Sequence, residues 1–291
     1  MRREPELTVV GLVYFEVFLP PAERPPPGRE LFVDRIDVGI GGAANTASVA
    51  AALGLAVDLV FPAGEGLTDA AVRAALERAG VRAQPVAGPD DGAITLVYTR
   101  PGADRAFVSC ARYEALQCDL HLPTVGWIHV PGLAEAEALG PALAEARAGG
   151  AKVSVSGGWT PDALTRLGQA DMERWDLLIL NEDEARFAVG PERDPLEHLT
   201  RVARSVVITR GRSGAEAWLG GHAWSVGAEP SGRVEDTTGA GDAFSAGLLA
   251  GLARGLGPEA ALRLGHRAAA RQLAVRGGFA DPARYGDLRL S

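Results

Sequence analysis

The sequence predicts an α/β fold, in which helices cover both faces of a central, mainly parallel sheet and so form three layers. Three observations lead to this prediction. Apolar strand segments alternate with helical segments along most of the 291 residues, and this alternation favours parallel strands. The composition is 47% hydrophobic and 23% charged, which is typical of a globular protein. No long linker or internal repeat divides the chain, so we expect residues 1–291 to form a single domain.

The elements of the N-terminal half follow from apolar periodicity and from turn residues. Gly54 is expected to cap the end of the first helix, and Thr68 the start of the second. The strand segments 93–99 and 105–110 flank a turn-rich segment, which predicts a hairpin. Because no helix separates them, we expect residues 93–110 to form a small β-lid together with residues 30–38. The other predicted elements are strands at 8–15, 35–38, 57–61 and 81–86 and helices at 43–53 and 68–79.

The C-terminal half continues the alternation of strands and helices. In such sheets, ligands bind beyond the carboxyl ends of the strands. We therefore expect site residues directly after strands or at the starts of helices. The predicted elements are strands at 125–130, 152–156, 177–180 and 205–209, a second hairpin at 215–219 and 223–226, and helices at 134–148, 240–254 and 258–275.

Composition excludes several classes of function. The net charge of -8 and the pI near 5.2 argue against a broad basic face for nucleic acid. No apolar run reaches the ~18 residues of a membrane span, and the N-terminus lacks the apolar core of a signal peptide. Cys110 and Cys118 are too few for a disulfide framework, so we expect a cytoplasmic protein. Lys152, the single lysine, does not stand in Gly-Lys-Ser/Thr, which excludes a P-loop NTPase.

The segment Asp236-Thr237-Thr238-Gly239-Ala240-Gly241-Asp242 is the strongest chemical signal in the sequence. Its Gly-Ala-Gly turn opens an apolar helix, and the unpaired N–H groups of a helix start attract anions. The amides of Gly239, Ala240 and Gly241 are therefore candidates for holding a phosphate. Asp242, beside them, is a candidate general base for a hydroxyl that attacks the phosphate. The alternative is that Asp242 is only a first-turn acid that the helix dipole favours.

Three further motifs accompany this segment in the expected order. They are Gly41-Gly42-Ala43-Ala44-Asn45, Asn181-Glu182-Asp183-Glu184 and the loop Thr209-Arg210-Gly211-Arg212-Ser213-Gly214. Together the four motifs resemble those of the ribokinase-like carbohydrate kinases, the PfkB family. The resemblance covers nearly the whole chain. It implies the ribokinase-like three-layer fold and an ATP-dependent, Mg²⁺-dependent kinase for a hydroxyl of a small neutral sugar or nucleoside.

The resemblance also implies roles for individual residues. Gly41, Gly42 and Asn45 would contact sugar hydroxyls, as would Glu16, which stands where the family usually has an Asp. The alternative for the Gly41–Asn45 segment is a helix start with small packing residues. Three residues of the loop after the strand at 205–209 would shape the nucleotide pocket, although a plain β-turn explains its glycines almost as well: Thr209, Gly211 and Gly214.

Two metal sites follow from the same resemblance. Asn181 and Glu184 come directly after an apolar strand, and Glu184 would reach Mg²⁺ through water. The alternative is a capping box, in which Asn181 is the N-cap and Glu184 is the third helical residue. Asp236 and Thr237 belong to a loop that in many family members binds a monovalent cation such as K⁺. The alternative for Asp236 is a role in stabilising the turn.

Departures from the family pattern bear on the acceptor. Tyr14 stands where the family has an Asn, and the segment 156–161 contains no Arg that could pair with a substrate carboxylate. Ala43 replaces the Lys that some relatives carry after the two glycines. These absences favour a neutral acceptor, although hairpin arginines such as Arg100 and Arg105 weaken the argument. The family often dimerises through its lid, so a homodimer is expected.

Two other functions compete with the kinase. The segment Gly39-Ile40-Gly41-Gly42-Ala43-Ala44 fits the Gly-x-Gly-x-x-Ala pattern of NAD(P)-dependent oxidoreductases, with Asp58 as a ribose-binding acid. That interpretation leaves the segment 236–242 without a role. The other is a catalytically silent sensor for a sugar or nucleoside, which the altered first strand would fit. The intact Asp242 and its glycine turn argue against loss of activity.

Overall fold

A computed structural model describes residues 4–20, 25–98, 106–117, 120–172 and 174–290. The expected turn of the first hairpin, with Arg100 and Arg105, and Cys118 lie outside these residues. One-turn 3₁₀ segments occur at Tyr113–Leu116 and Gly211–Ser213, and a longer one at Pro282–Leu288. The strands and helices are, in chain order, β1 (Leu7–Val10), β2 (Val13–Leu19), β3 (Asp37–Gly42), α1 (Ala43–Ala52), β4 (Val57–Ala63), α2 (Leu67–Arg78), β5 (Arg82–Ala87), β6 (Ala93–Tyr98), β7 (Ala106–Cys110), β8 (Trp127–Val130), α3 (Leu133–Ala138), α4 (Gly140–Ala148), β9 (Lys152–Ser156), α5 (Pro161–Gln169), β10 (Trp175–Asn181), α6 (Glu182–Val189), α7 (Pro195–Leu199), β11 (Ala203–Thr209), β12 (Ala215–Leu219), β13 (His222–Val226), α8 (Ala240–Ala253) and α9 (Pro258–Gln272).

Nine strands form the large sheet, in the order β13-β12-β11-β10-β9-β8-β1-β4-β5. The seven strands from β11 to β5 pair in parallel, and only β12 and β13 at one edge are antiparallel. Helices α1, α2, α8 and α9 pack on one face, and α3 to α7 pack on the other. Successive residues of β10 serve both faces: Leu177 and Ile179 join one core, and Leu178 and Leu180 join the other. Strands buried on both faces need such continuous apolar runs, and the predicted three-layer fold is confirmed.

The small sheet has the order β3-β2-β6-β7. The strand predicted at 8–15 is wrong as one element, because the chain leaves the large sheet after β1 and continues as β2 in the small sheet. Gly11 and Leu12 connect the two strands, and we call them the lid hinge. Residues 30–36 form no strand, and β3 begins at Asp37 and continues to Gly42, beyond the strand predicted at 35–38. We call this small sheet the lid.

Two predictions about helices are also wrong: the continuity of one helix and the N-cap of another. The helix expected at 134–148 is divided into α3 and α4 at Leu139, because Pro141 in the first turn of α4 has no N–H to continue the hydrogen bonds of α3. Helix α2 begins after Gly66 rather than Thr68, and the carboxylate of Asp69 accepts the N–H of Gly66 at 3.1 Å. Thr68 instead donates its N–H and its hydroxyl to Asp91. None of the helices in the described segments has both the length and the apolarity needed to cross a bilayer.

Candidate active site

The turn that opens α8 requires glycine at its first position. Gly239 has a φ of 74°, in the left-handed region, and a Cβ there would lie 2.4 Å from the Cα of Gly278. At Gly241 an added Cβ would meet nothing within 4 Å. The two glycines therefore differ: Gly239 is needed for packing, whereas Gly241 leaves open space beside the helix start. A ligand can approach the backbone on that open side.

Asp236 holds the loop before this turn. Its Oδ1 accepts the N–H of Thr238 at 2.8 Å, and its Oδ2 accepts the N–H of Gly277 at 2.7 Å. The side chain is buried, so these bonds replace its hydration. Of the two roles open at the sequence level, the turn-stabilising role of Asp236 is observed. Cation binding by Asp236 and Thr237 stays a prediction.

Asp242 is half-buried in the first turn of α8 and is hydrogen-bonded to Asn45 of the Gly41–Asn45 motif. Its Oδ2 accepts a hydrogen bond of 2.9 Å from Nδ2 of Asn45, 197 positions away in the sequence. Burial raises the pKa of Asp242 above its usual range, and the bond from Asn45 opposes that rise. Asn45 itself is buried, and its Oδ1 has no hydrogen-bond partner among the described residues. The structure thus joins two motifs that the sequence only placed in order.

Gly41 and Gly42 lie at the end of β3, the first against Glu16 of β2 and the second against Leu12 of the lid hinge. A Cβ at Gly41 would lie 2.1 Å from Oε1 of Glu16, and one at Gly42, whose φ is 66°, would lie 2.4 Å from the carbonyl oxygen of Leu12. Glu16 is buried on β2, where it pairs with Gly39 of β3. The close backbone approach that glycine permits is therefore used within the protein. Sugar binding by Glu16, Gly41, Gly42 and Asn45 stays a prediction.

Asn181 and Glu184 form the predicted capping box at the start of α6. Oδ1 of Asn181 accepts the N–H of Glu184 at 2.8 Å, and Oε2 of Glu184 accepts the N–H of Asn181 at 2.9 Å. Burial is the main cause that raises the pKa of Glu184, and the charges of Asp183 and Asp242 raise it further. No group of three or more His, Cys, Asp and Glu side chains able to hold a metal occurs in the described segments. The capping role is observed, and the Mg²⁺ role stays a prediction.

The predicted nucleotide loop follows β11. Thr209 is the last residue of that strand, and its hydroxyl donates to the carbonyl of Leu180 at 3.5 Å. A Cβ at Gly214, whose φ is 95°, would lie 2.0 Å from the carbonyl oxygen of Val226, so this glycine is required by the neighbouring strand β13. A Cβ at Gly211 would meet nothing within 4 Å. Packing therefore explains Gly214, and nucleotide contact by Thr209, Gly211 and Gly214 stays a prediction.

The dinucleotide motif lacks its required context. Gly39 to Gly42 lie in β3 of the lid, which pairs antiparallel with β2, rather than between a strand of the large sheet and a helix. Asp58 forms an ion pair of 2.5 Å with Arg82 on the neighbouring strand β5. Neither observation fits a dinucleotide-binding βαβ unit.

Sequence reasoning missed Glu135, the third residue of α3. Its side chain is only 7% exposed, and its Oε1 accepts the N–H of Leu12 at 2.7 Å. Burial, together with the charge of Asp242, raises the pKa of Glu135 to about 7, and the Leu12 bond opposes the rise. In the sequence, the residue stands in Leu-Ala-Glu-Ala-Glu-Ala, which looks like a solvated helix face. Its place in the first turn of the helix that follows β8 of the large sheet was the one available signal.

The comparisons with known proteins identify the family and the fold. Residues 5–282 match the family described as "pfkB family carbohydrate kinase". The chain is 35% identical to fructoselysine 6-kinase of Escherichia coli over 115 residues, which are 38% of this chain and 43% of that relative. It therefore spans less than half the length of this curated relative in the alignment.

Solved structures extend the similarity of the fold to the whole chain. Adenosine kinase from Sinorhizobium meliloti has a TM-score of 0.76 at 19% identity, covering 96% of both chains. Ribokinase from Arabidopsis thaliana, complexed with ribose and ATP, has a TM-score of 0.73 at 19% identity, covering 99% of this chain and 100% of that one. These structures confirm the ribokinase-like fold, and the family match confirms the resemblance seen in the motifs. The chain belongs to the pfkB family of carbohydrate kinases.

Proposed function

We propose that the protein transfers the γ-phosphoryl group of ATP to a hydroxyl of a small neutral sugar or nucleoside. The observation that carries this proposal is the bond between Asp242 and Asn45 beside the open Gly241 turn. It brings a carboxylate, an amide and backbone N–H groups to one place. The relatives support the substrate class, because their names specify fructoselysine, adenosine and ribose kinases.

In this reaction Asp242 acts as the general base. It accepts the proton of the acceptor hydroxyl as the oxygen attacks the γ-phosphorus and the bond to the ADP oxygen breaks. Its raised pKa makes it a stronger base than an exposed Asp. Asn45 holds the carboxylate in place, and the amides of Gly239, Ala240 and Gly241 stabilise the charge on the transferred group.

Glu184 and Asn181 are the residues that would hold Mg²⁺ through water. The fit rests on the donor set: Glu184 is a buried carboxyl whose pKa the charge of Asp242 helps to raise, and a bound cation would offset that repulsion. When bound, Mg²⁺ would offset the charge of the phosphates.

Two further binding roles belong to the proposal. The loop at Asp236 and Thr237 would bind K⁺, and the enzyme would require that ion. The nucleotide would be bound by Thr209, Gly211 and Gly214.

The acceptor side of the site would be built by Glu16, Gly41 and Asn45. Carboxylate and amide groups bind sugar hydroxyls through paired donors and acceptors. Closure of the lid, to which β2 and β3 belong, would exclude water, which otherwise competes as the acceptor. In this proposal residues 1–291 form a single kinase domain, and the lid strands are inserted into it.

The lid also supports the expected homodimer. Val38, Phe107 and Val108 expose 62%, 55% and 58% of their surfaces on its strands. Exposed apolar residues on one sheet are typical of an interface, and a second copy of the chain is the partner we propose. We expect an enzyme of the cytoplasm, where ATP is available, with neither nucleic acid nor membrane as a partner.

A coupled ADP-release screen tests the proposed function. The purified protein is incubated with Mg-ATP and a panel of pentoses, hexoses, nucleosides and their phosphates, with and without K⁺. We expect ADP release above the ATP-only background for a neutral acceptor, and loss of that release on removal of Mg²⁺. No release with any acceptor would favour the silent sensor, and a rate that is highest with a phosphosugar would contradict the neutral acceptor.

A further inference from the structure

Glu135 lies where the chain passes between the two sheets. Leu12, in the lid hinge, donates its N–H to Oε1 of Glu135 at 2.7 Å and accepts the N–H of Ala43 at its carbonyl at 2.9 Å. Ala43 is the first residue of α1, where the chain returns from β3 to the body of the protein. Leu12 therefore links the entry into the lid with one exit from it, and Glu135 binds this junction directly.

The carboxyl group of Glu135 is enclosed by backbone at both oxygens. A Cβ at Gly11 would lie 2.8 Å from Oε1, and a Cβ at Gly132 would lie 2.7 Å from Oε2. Both neighbours can stand this close only because they are glycines. A third-position Glu usually bonds back to its own helix start, whereas this one uses Oε1 for a residue 123 positions away. Helix capping therefore does not account for its position.

A third connection of the lid lies in the same place. Burial raises the pKa of Tyr14 on β2, and so do Tyr113, which begins the 3₁₀ segment after β7, and the charge of Glu135. The charge of Asp242, the proposed base, also raises the pKa of Glu135. One buried carboxyl is thus hydrogen-bonded to the lid hinge and is also influenced by the charge of Asp242. Burial of a carboxyl group costs free energy unless it is hydrogen-bonded, and the bond from Leu12 is the one that the carboxyl group of Glu135 makes with the described residues.

We propose that Glu135 is a positioning residue, which fixes the lid hinge at Leu12 so that β2 presents Glu16 to the acceptor. This inference rests on the proposed function for its kinetic consequence, but the contact at the hinge can be tested without any substrate. Loss of a hydrogen bond from a buried backbone N–H changes a local opening equilibrium by about tenfold or more. The hinge, rather than the whole molecule, should show that change.

Three single variants of the full chain separate positioning from general stability. Glu135→Met keeps the volume but removes the acceptor, Glu135→Gln keeps an acceptor oxygen without the charge, and Glu137→Gln is the matched control. Glu137 lies on the same helix and pairs with Arg166 at 2.6 Å, away from the hinge. Hydrogen–deuterium exchange is measured without substrate on peptides that cover residues 11–19 and 240–253.

We expect exchange at 11–19 to rise about tenfold in Glu135→Met, and to stay within about threefold of the wild type in Glu135→Gln and Glu137→Gln. Residues 240–253 should not change. With the best acceptor of the screen, the KM for that acceptor should rise about tenfold in Glu135→Met while the KM for ATP is kept, and Glu135→Gln should restore it. The kinetic measurement adds to the exchange measurement. If the screen finds no acceptor, the exchange measurement alone tests the contact at the hinge.

Unchanged exchange at 11–19 in Glu135→Met would overturn the proposal. So would equal acceleration at 11–19 and 240–253, because that result indicates a role in overall stability. If Glu135→Met does not fold, Glu135→Gln decides the matter: loss of protection at 11–19 in a variant that keeps the acceptor oxygen contradicts positioning by this bond, and retained protection supports it.

Discussion

The two sides of the candidate site are built in different ways. On one side, residues 236–242 form the turn before α8 from one continuous stretch, and Asp236 and Gly239 fix it. On the other side, the lid is held by contacts of Leu12 with Gly42 and with Glu135 of the body, and these residues are far apart in the sequence. The first side is a local motif, whereas the second depends on tertiary contacts. The turn side is therefore predictable from the sequence, and the contacts of the lid side are not.

Asn45 joins the two sides, because it follows the lid strand β3 and donates to Asp242. If the turn side carries the chemistry and the lid side positions the acceptor, substitutions in the turn should lower turnover while the lid stays intact. Substitutions at the lid side should change acceptor binding or stability with the turn intact. The variants below test this division, beginning with the largest expected effect.

Asp242→Asn tests the chemistry of the turn side. The amide can keep a hydrogen bond but cannot accept the hydroxyl proton, so we expect turnover to fall by a factor on the order of 10²–10⁴. ATP binding, measured by calorimetry, should change little. The lid peptides should keep their hydrogen exchange, which serves as the control for folding. Near-normal turnover would remove Asp242 from the mechanism.

Glu135 gives the lid side a dependence on pH. Its pKa is raised from 4.5 to about 7 in the folded protein, so its contribution to stability is full below about pH 4.5 and is lost as the pH rises through 7. The shift corresponds to a loss on the order of 3 kcal/mol. Relative to Glu135→Gln, the wild type should therefore lose that much free energy of unfolding between pH 4.5 and 8.

Denaturant unfolding of both proteins at the two pH values measures this loss. The groups that interact with Glu135 are the N–H of Leu12, Tyr14 and Asp242. Both proteins contain them, so the difference between the proteins reports Glu135 together with its electrostatic effect on Tyr14 and Asp242. An equal difference in stability at both pH values would contradict the raised pKa.

The sequence predicted most of the fold because its signals are local. The strand at 152–156 and the start of α8 at Ala240 are set by apolar runs and by glycine turns, and the structure has them where predicted. The division of the first strand was missed, since the apolar pattern continues through Gly11 and Leu12. What ends β1 there is the pairing of the next residues with β3 and β6, which lies outside any local window.

The site shows the same limit. Asp242 and the Asn181–Glu184 box were predicted, because residue type and spacing along one segment define them. Glu135 was missed, because an Ala-Glu-Ala repeat indicates a solvated helix face and its partner at Leu12 is distant in the sequence. Sequence patterns specify what a segment can do, whereas burial depends on what folds against it.

Two glycines of the turn offer a matched test of packing against chemistry. Gly239→Ala places a Cβ 2.4 Å from Gly278 at a φ of 74°, so we expect the free energy of unfolding to fall by about 2 kcal/mol or more. Gly241→Ala meets open space and should change stability by less than about 1 kcal/mol. If Gly241 borders the phosphate, its Ala variant should still lose turnover. Equal stability of the two variants would contradict the packing role of Gly239.

The smallest effect separates the two roles of Asn181. Asn181→Ala removes the N-cap of α6 and should cost about 1 kcal/mol of stability, whereas Asn181→Ser keeps a capping oxygen and should cost a few tenths. Activity at limiting Mg²⁺ then distinguishes capping from metal binding. If Asn181 only caps the helix, Ser restores both stability and activity. If it also serves the metal, Ser restores stability while the Mg²⁺ concentration for half-maximal rate stays raised, because the shorter hydroxyl cannot replace the amide oxygen.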